Sequence, residues 1–125
     1  MISPIINDQF KLLQQLHGAS MRELPNGVVV TVPDVPLEPA GQWNKVKTVA
    51  HILAPVGYPQ AKPDCFWVES DIRLASGAMP ANSAINNTIG PPLLWFSWHV
   101  ARWNPNTDTL KTYLNVVRER LRTPR

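Results

Sequence analysis

The stretch Gly57-Tyr58-Pro59-Gln60-Ala61-Lys62-Pro63-Asp64-Cys65-Phe66-Trp67-Val68 anchors the reading of this chain. Pro55, Pro59 and Pro63 stiffen the connection from Ala54 to Pro63, because proline fixes φ and lacks an N–H. Asp64 to Val68 then turns aromatic and apolar, as a short strand does. Upstream, Val46 to Leu53 alternates loosely and reads as the preceding strand. Earlier still, the turn signal Pro25-Asn26-Gly27 leads into Val28-Val29-Val30-Thr31-Val32. This β-branched run is a first strand, which Pro33 and Pro36 are expected to stop. Ala40-Gly41-Gln42-Trp43-Asn44 is the turn between the first two strands. Three successive strands with short links favour an antiparallel meander.

A helix is expected at each end. Pro4 follows Ser3 and opens the first, with Ser3 or Asn7 as cap. Ile6, Phe10, Leu13 and Leu16 form its apolar stripe, and Gly18 ends it. Near the other end, Asn104-Pro105-Asn106-Thr107-Asp108 caps a helix whose face is Leu110, Tyr113, Leu114, Val117 and Leu121, and Pro124 ends it. Between the third strand and this helix, residues 69–92 show no sustained period and read as one long loop. Its apolar members, Ile72, Leu74, Met79, Ile85 and Ile89, are expected to pack down. Leu93 to Val100 is apolar enough for a further short strand. The order helix, three strands, long loop, apolar segment, helix is an α+β layer with both helices on one sheet face.

A length of 125 residues suits a single domain over 1–125, and 44% hydrophobic content allows a packed core. No apolar run is long enough for a membrane span. The N-terminus lacks the basic start and apolar stretch of a signal peptide, so a cytoplasmic protein is expected. The single cysteine, Cys65, excludes an internal disulfide framework and a cysteine-built metal site. His17, His51 and His99 have no metal-ligand spacing, and no glycine-rich phosphate loop occurs, so no cofactor is expected. Basic residues exceed acidic ones by 12 to 9, with Arg118, Arg120, Arg122 and Arg125 concentrated in the tail. No aromatic residues interleave with them, which argues for solvated cations at a helix end rather than a nucleic-acid surface. The five tryptophans read either as core anchors or as a groove for peptide or sugar.

Two motifs resemble those of the ubiquitin-conjugating enzymes, and three further stretches resemble one family within them. Gly57-Tyr58-Pro59-Gln60-Ala61-Lys62-Pro63 resembles the tyrosine-proline-x-x-x-proline signature that leads into the third strand. Trp103-Asn104-Pro105 resembles the tryptophan-x-proline before the helix that follows the active site. Leu24-Pro25-Asn26-Gly27, Pro63-Asp64-Cys65-Phe66-Trp67 and Trp95-Phe96-Ser97-Trp98-His99 resemble the prokaryotic family E of this superfamily. The resemblance covers about residues 5 to 122. It implies a ubiquitin-conjugating-like α+β fold with a long active-site loop. It also implies a ubiquitin-like conjugation pathway in bacteria, with a ubiquitin-like protein, an activating enzyme and a JAB-type peptidase as companions.

The family's usual carrier is a cysteine between the third strand and the tryptophan-x-proline, because a thiolate forms easily and its thioester stays reactive toward amines. This chain has none there. Cys65 falls inside the third strand, where the family has a core apolar residue, and reads as a small buried hydrophobe. Ser97 stands in the cysteine's place within Trp95-Phe96-Ser97-Trp98. On an extended segment His99 would share its face, so that the imidazole could take the hydroxyl proton. The opposing reading is a polar pair satisfied by backbone. Ser76 and Ser83 are weaker candidates for the nucleophile. Asn86 and Asn87, and also Asn82, could supply the family's oxyanion amide although the histidine-proline-asparagine motif is missing; asparagines in such a loop also simply stabilise turns. Asp108 could orient an amine or serve as a first-turn helix acid. Three functions remain open: a transferase-like carrier forming a serine oxyester, a catalytically inactive module binding a ubiquitin-like protein or an activating enzyme, and a tryptophan-lined binder of peptide or sugar.

Overall fold

A computed structural model describes residues 2–125. Helix α1 spans Pro4–His17. The Ser3 hydroxyl accepts from the Ile6 N–H at 3.3 Å, and Gly18, at φ 69°, donates its N–H to the Gln14 carbonyl. Both ends of the helix are therefore satisfied by the residues the sequence nominates. Ile6, Phe10 and Leu13 are buried, but Leu16 is exposed, because the stripe continues through the half-buried His17 instead.

Six strands follow, in the spatial order β1-β2-β3-β4-β6-β5, and every pairing is antiparallel. They are β1 Ser20–Leu24, β2 Gly27–Pro36, β3 Lys47–Pro55, β4 Cys65–Val68, β5 Ser83–Asn86 and β6 Leu93–Ser97. The first strand is therefore not Val28–Val32 alone. Ser20–Leu24, polar and half exposed, pairs ahead of it as a hairpin about Pro25-Asn26. Gly27 is required at the hairpin's end, because a Cβ there would collide with the Ala54 carbonyl. Pro33 does not stop β2, which ends at Pro36. Its register shifts between Val32 and Val35, with Asp34 at φ 57°, and this irregularity carries the strand on to Pro36. Strands β1 to β4 form the expected antiparallel meander, and the order departs from it only at the far edge. Part of the long loop forms β5, which lies outside β6, while β6 returns to β4.

Helix α2, Leu110–Leu121, packs beside α1 on one face of the sheet. Its cap is Thr109, which exchanges hydrogen bonds with Thr112. Asn104 to Asp108 instead closes on itself: the Asp108 carboxylate accepts from the Asn104 N–H at 2.7 Å and thus does not act as a first-turn helix acid. The core between helices and sheet holds Leu13, Val30, Ile52, Phe66, Phe96, Tyr113 and Leu114. Phe66 and Phe96 stack at 4.8 Å between centroids. Arg120 is not a solvated cation. It is 1% exposed, on the same face as Tyr113 and Val117.

Two sequence motifs meet at the base of the helices. Tyr58 donates its phenol hydrogen to Gln9 Oε1 on α1, and the same oxygen accepts the Leu110 N–H at 2.9 Å. Trp103 donates its indole N–H to the Pro59 carbonyl at 2.7 Å and packs on Tyr58 at 5.9 Å between centroids. One amide oxygen thus joins α1, the proline-rich connection and the start of α2. This junction fixes the chain on both sides of β6.

Candidate functional site

Strand β6 ends at Ser97, and the ladder dictates what surrounds it. The Trp98 N–H donates to the Asp64 carbonyl, so Asp64 and Trp98 are a hydrogen-bonded pair and the next pair, Cys65 with Ser97, is not. In such a pair the Cα atoms approach to about 4.5 Å, and the side chains leave the sheet together. Phe66 and Phe96, one step along, point to the helices. Cys65 and Ser97 therefore share the opposite, outer face. There a second apolar cluster of Val29, Trp67 and Ile89 packs with Cys65, Leu93 and Trp95 half-buried beside it. Arg22 holds this cover down by donating to the Ile89 carbonyl.

Burial pushes the Cys65 thiol up to about 11, against an opposing hydrogen bond with the Trp95 indole. At neutral pH the group is a neutral thiol, which is neither nucleophile nor metal ligand. The Ser97 hydroxyl is half-buried, and among the described residues it makes no side-chain hydrogen bond. Its backbone N–H donates to the Asn82 carbonyl at 3.0 Å.

His99 lies beyond the end of β6 and is exposed, so the alternation that would place it beside Ser97 is not imposed by a strand. No hydrogen bond joins it to Ser97 among the described residues. Asn86 and Asn87 sit at the far end of the β5–β6 hairpin. Asn86 pairs with Leu93, four residues before Ser97. At strand rise, that is roughly 13 Å from the hydroxyl, beyond the reach of an amide. Asn86 is also engaged locally, its Oδ1 accepting from Trp67 Nε1 at 3.1 Å and from the Thr88 N–H at 2.9 Å. Asn87 is exposed and its carbonyl accepts from Gly90. Asn82 is the asparagine opposite Ser97, and it touches Ser97 through backbone. Ser76 and Ser83 are used in their own turns, Ser76 Oγ accepting the Ala78 N–H and Ser83 Oγ donating to the Pro80 carbonyl.

Arg120, which sequence reading left among the solvated tail cations, lies on the helix-covered face, across the sheet from the Ser97 hydroxyl. Its guanidinium lies over the rings of Phe96 at 5.0 Å and Trp98 at 5.1 Å, the two residues that flank Ser97. It donates to the carbonyls of Thr123, Ala81 and Arg125. Burial, and then repulsion from Arg125, push it down to about 10, so it remains a cation at neutral pH. Among the described residues its Nε finds no hydrogen-bond partner. Beside it a cleft of about 400 Å³ opens between Trp98 and α2. The tryptophans do not form one exposed groove. Trp43 and Trp67 are buried on opposite faces of the sheet, and Trp95, Trp98 and Trp103 are half-buried.

A sheet with both helices on one face and a tyrosine–proline turn locked to the tryptophan before the last helix are consistent with a ubiquitin-conjugating-like α+β fold. The family model of prokaryotic E2 family E matches residues 11–123, and the chain belongs to that family. Membership gives it a conjugating-enzyme-like role in a ubiquitin-like pathway, with a ubiquitin-like protein and an activating enzyme as interaction partners. No curated protein and no solved structure matches the chain. No helix among the described residues is long and apolar enough to cross a membrane.

Proposed function

We infer that this chain occupies the conjugating-enzyme position of its pathway as a holder of the ubiquitin-like protein, without a thioester of its own. The observation that carries this reading is the Cys65–Ser97 pair. The one thiol of the chain is held neutral by burial, and the hydroxyl beside it has no base in hydrogen-bond contact. An acyl carrier needs a nucleophile that is ionised or relieved of its proton as it attacks, and neither group meets that need as it stands. The scaffold that would orient partners is nevertheless intact, from the Gln9–Tyr58–Trp103 junction to the end of β6.

A second reading is a serine oxyester at Ser97 with His99 as general base. It is favoured by the free state of both groups: the hydroxyl has no competing side-chain bond, and the exposed imidazole lies two residues away on a segment outside any strand. Catalytic hydrogen bonds often tighten only when substrate binds. Gel filtration with the ubiquitin-like protein separates the readings when run with and without activating enzyme and ATP. The holder gives a non-covalent complex that denaturant dissolves. The carrier gives an adduct stable in denaturant, cleaved by hydroxylamine and absent in Ser97→Ala. Elution of the two proteins apart under both conditions would refute both.

A further inference from the structure

Helix α2 turns one side toward Trp98. Asn115, Val116, Glu119 and Arg120 recur there at helical spacing, and with Trp98 and Arg125 they line the cleft of about 400 Å³. Small-molecule sites begin at about 300 Å³, so the cleft is large enough for one. Its walls are mixed. Trp98 and Val116 supply half-buried apolar surface, and Asn115 is exposed. The Ser97 hydroxyl lies on the other face of the sheet, so the cleft is separate from it.

The charges of this cleft do not balance. Arg120 is buried with its guanidinium over Trp98, and the Arg125 guanidinium lies over the same ring at 5.7 Å. Among the described residues neither pairs with an Asp or Glu carboxylate. Glu119 is the only acid among the described residues lining the cleft, and it is committed to Arg122 at 2.6 Å. The more exposed cations Lys45, Lys47 and Arg122 all have carboxylate partners, whereas the buried Arg120 has carbonyls. A buried charge is costly unless it is paired. Two guanidinium groups thus border one cleft without a counter-charge, and the Arg120 Nε still lacks an acceptor.

We propose that the cleft between Trp98 and α2 binds a small organic carboxylate with an apolar body. The carboxylate is held by Arg120 and Arg125, and the body lies against Trp98 and Val116. Guanidinium forks match a carboxylate in charge and in geometry. A bare inorganic anion would leave the apolar walls unused. A neutral apolar molecule would leave both cations unmatched. A nucleic acid calls for basic residues spread along a surface, not gathered in one cleft.

The test uses the full chain labelled with ¹⁵N and, as probe, sodium octanoate, with acetate, octanol and octylammonium for comparison. Octanoate should shift the Asn115 and Val116 amides and the Trp98 indole N–H saturably, with the amides of β1 unmoved. Asn115→Glu places a negative charge on the wall of the cleft, and Arg125→Gln removes a positive one. Both residues are exposed, so the fold is expected to survive either change. Each variant should weaken octanoate about three- to tenfold, the effect of one charged contact, and Arg125→Lys should weaken it less. Acetate binding as tightly as octanoate would mean an adventitious ion only, and overturns the proposal. Octanol or octylammonium binding as tightly would mean an unselective apolar surface, and overturns it too. So does the absence of a saturable shift, a set of shifts that maps elsewhere, or an affinity unchanged in both Asn115→Glu and Arg125→Gln.

Discussion

Cys65 on β4 and Ser97 on β6 face each other across a non-hydrogen-bonded pair on the outer face of the sheet. The chain's one thiol and the Ser97 hydroxyl are thus neighbours. They share a half-buried apolar setting, which suppresses ionisation.

The first consequence is a pH profile. Burial raises the native thiol to about 11 from an ordinary 9.0. Alkylation of native Cys65 by iodoacetamide should therefore rise with a midpoint near 11, and in the unfolded chain near 9. The sign for stability follows by linkage. The folded state keeps its proton longer than the unfolded state, so this contribution is complete below pH 9 and is lost as pH rises from 9 to 11. Cys65→Ser should flatten that decline in urea-midpoint measurements. A native alkylation midpoint at 9 or lower would show an activated thiol.

Gln9 should be costly to remove. Its side-chain oxygen accepts from both Tyr58 and Leu110. Gln9→Ala leaves both donors without this acceptor and should destabilise the chain by about 1–3 kcal/mol in urea unfolding. Trp103→Phe keeps most of the packing on Tyr58 and loses the bond to Pro59, so about 1 kcal/mol is expected.

Arg120 should not be replaceable by lysine. An ammonium has no planar fork with which to serve three carbonyls while lying between two aromatic rings. Arg120→Lys should cost about 2 kcal/mol or more, as the breaking of a buried charged network does. Hydrogen exchange should accelerate at Ala81, whose N–H bonds the Arg125 carbonyl, and at Ser97, whose N–H bonds Asn82. Protection unchanged at both amides would mean that Arg120 does not hold this end of the sheet.

His51 gives a second, opposite pH signature. Burial, and then the nearby Arg22, lower its pKa from 6.5, and its Nδ1 lies 2.9 Å from Thr31 Oγ1. The unfolded chain takes up this proton before the folded one does. Stability from this site is therefore complete above pH 6.5 and falls as the pH drops through the lowered native value. His51→Asn should show a shallower loss as the pH falls below 6.5, measured by thermal unfolding.

Much of this architecture is legible in the residues. Ser3-Pro4 and Gly18 bound α1, the Leu110–Leu121 period gives α2, and the tyrosine–proline and tryptophan–proline motifs mark the junction they build. The misses have physical causes. Ser20–Leu24 is a polar edge strand whose pairing partner, not its composition, makes it β. Ser83–Asn86 is too short to show a period. Pro33 is tolerated because β2 shifts register between Val32 and Val35, and bulges need not be visible in composition; β2 ends at Pro36. Arg120 could have been found: it falls seven residues after Tyr113 and three after Val117, on the helix's apolar stripe. Ser97 ends β6 opposite Cys65. The separation of Asn86 and Asn87 from it depends on the β5–β6 register, which only the folded chain reveals.

Intact-mass spectrometry of the chain, after incubation with the activating enzyme, the ubiquitin-like protein and ATP and then denaturation without reducing agent, tests the absence of a thioester most directly. The mass of the chain should be unchanged. A species heavier by one ubiquitin-like protein less one water, released by added thiol and missing in Cys65→Ser, would contradict it.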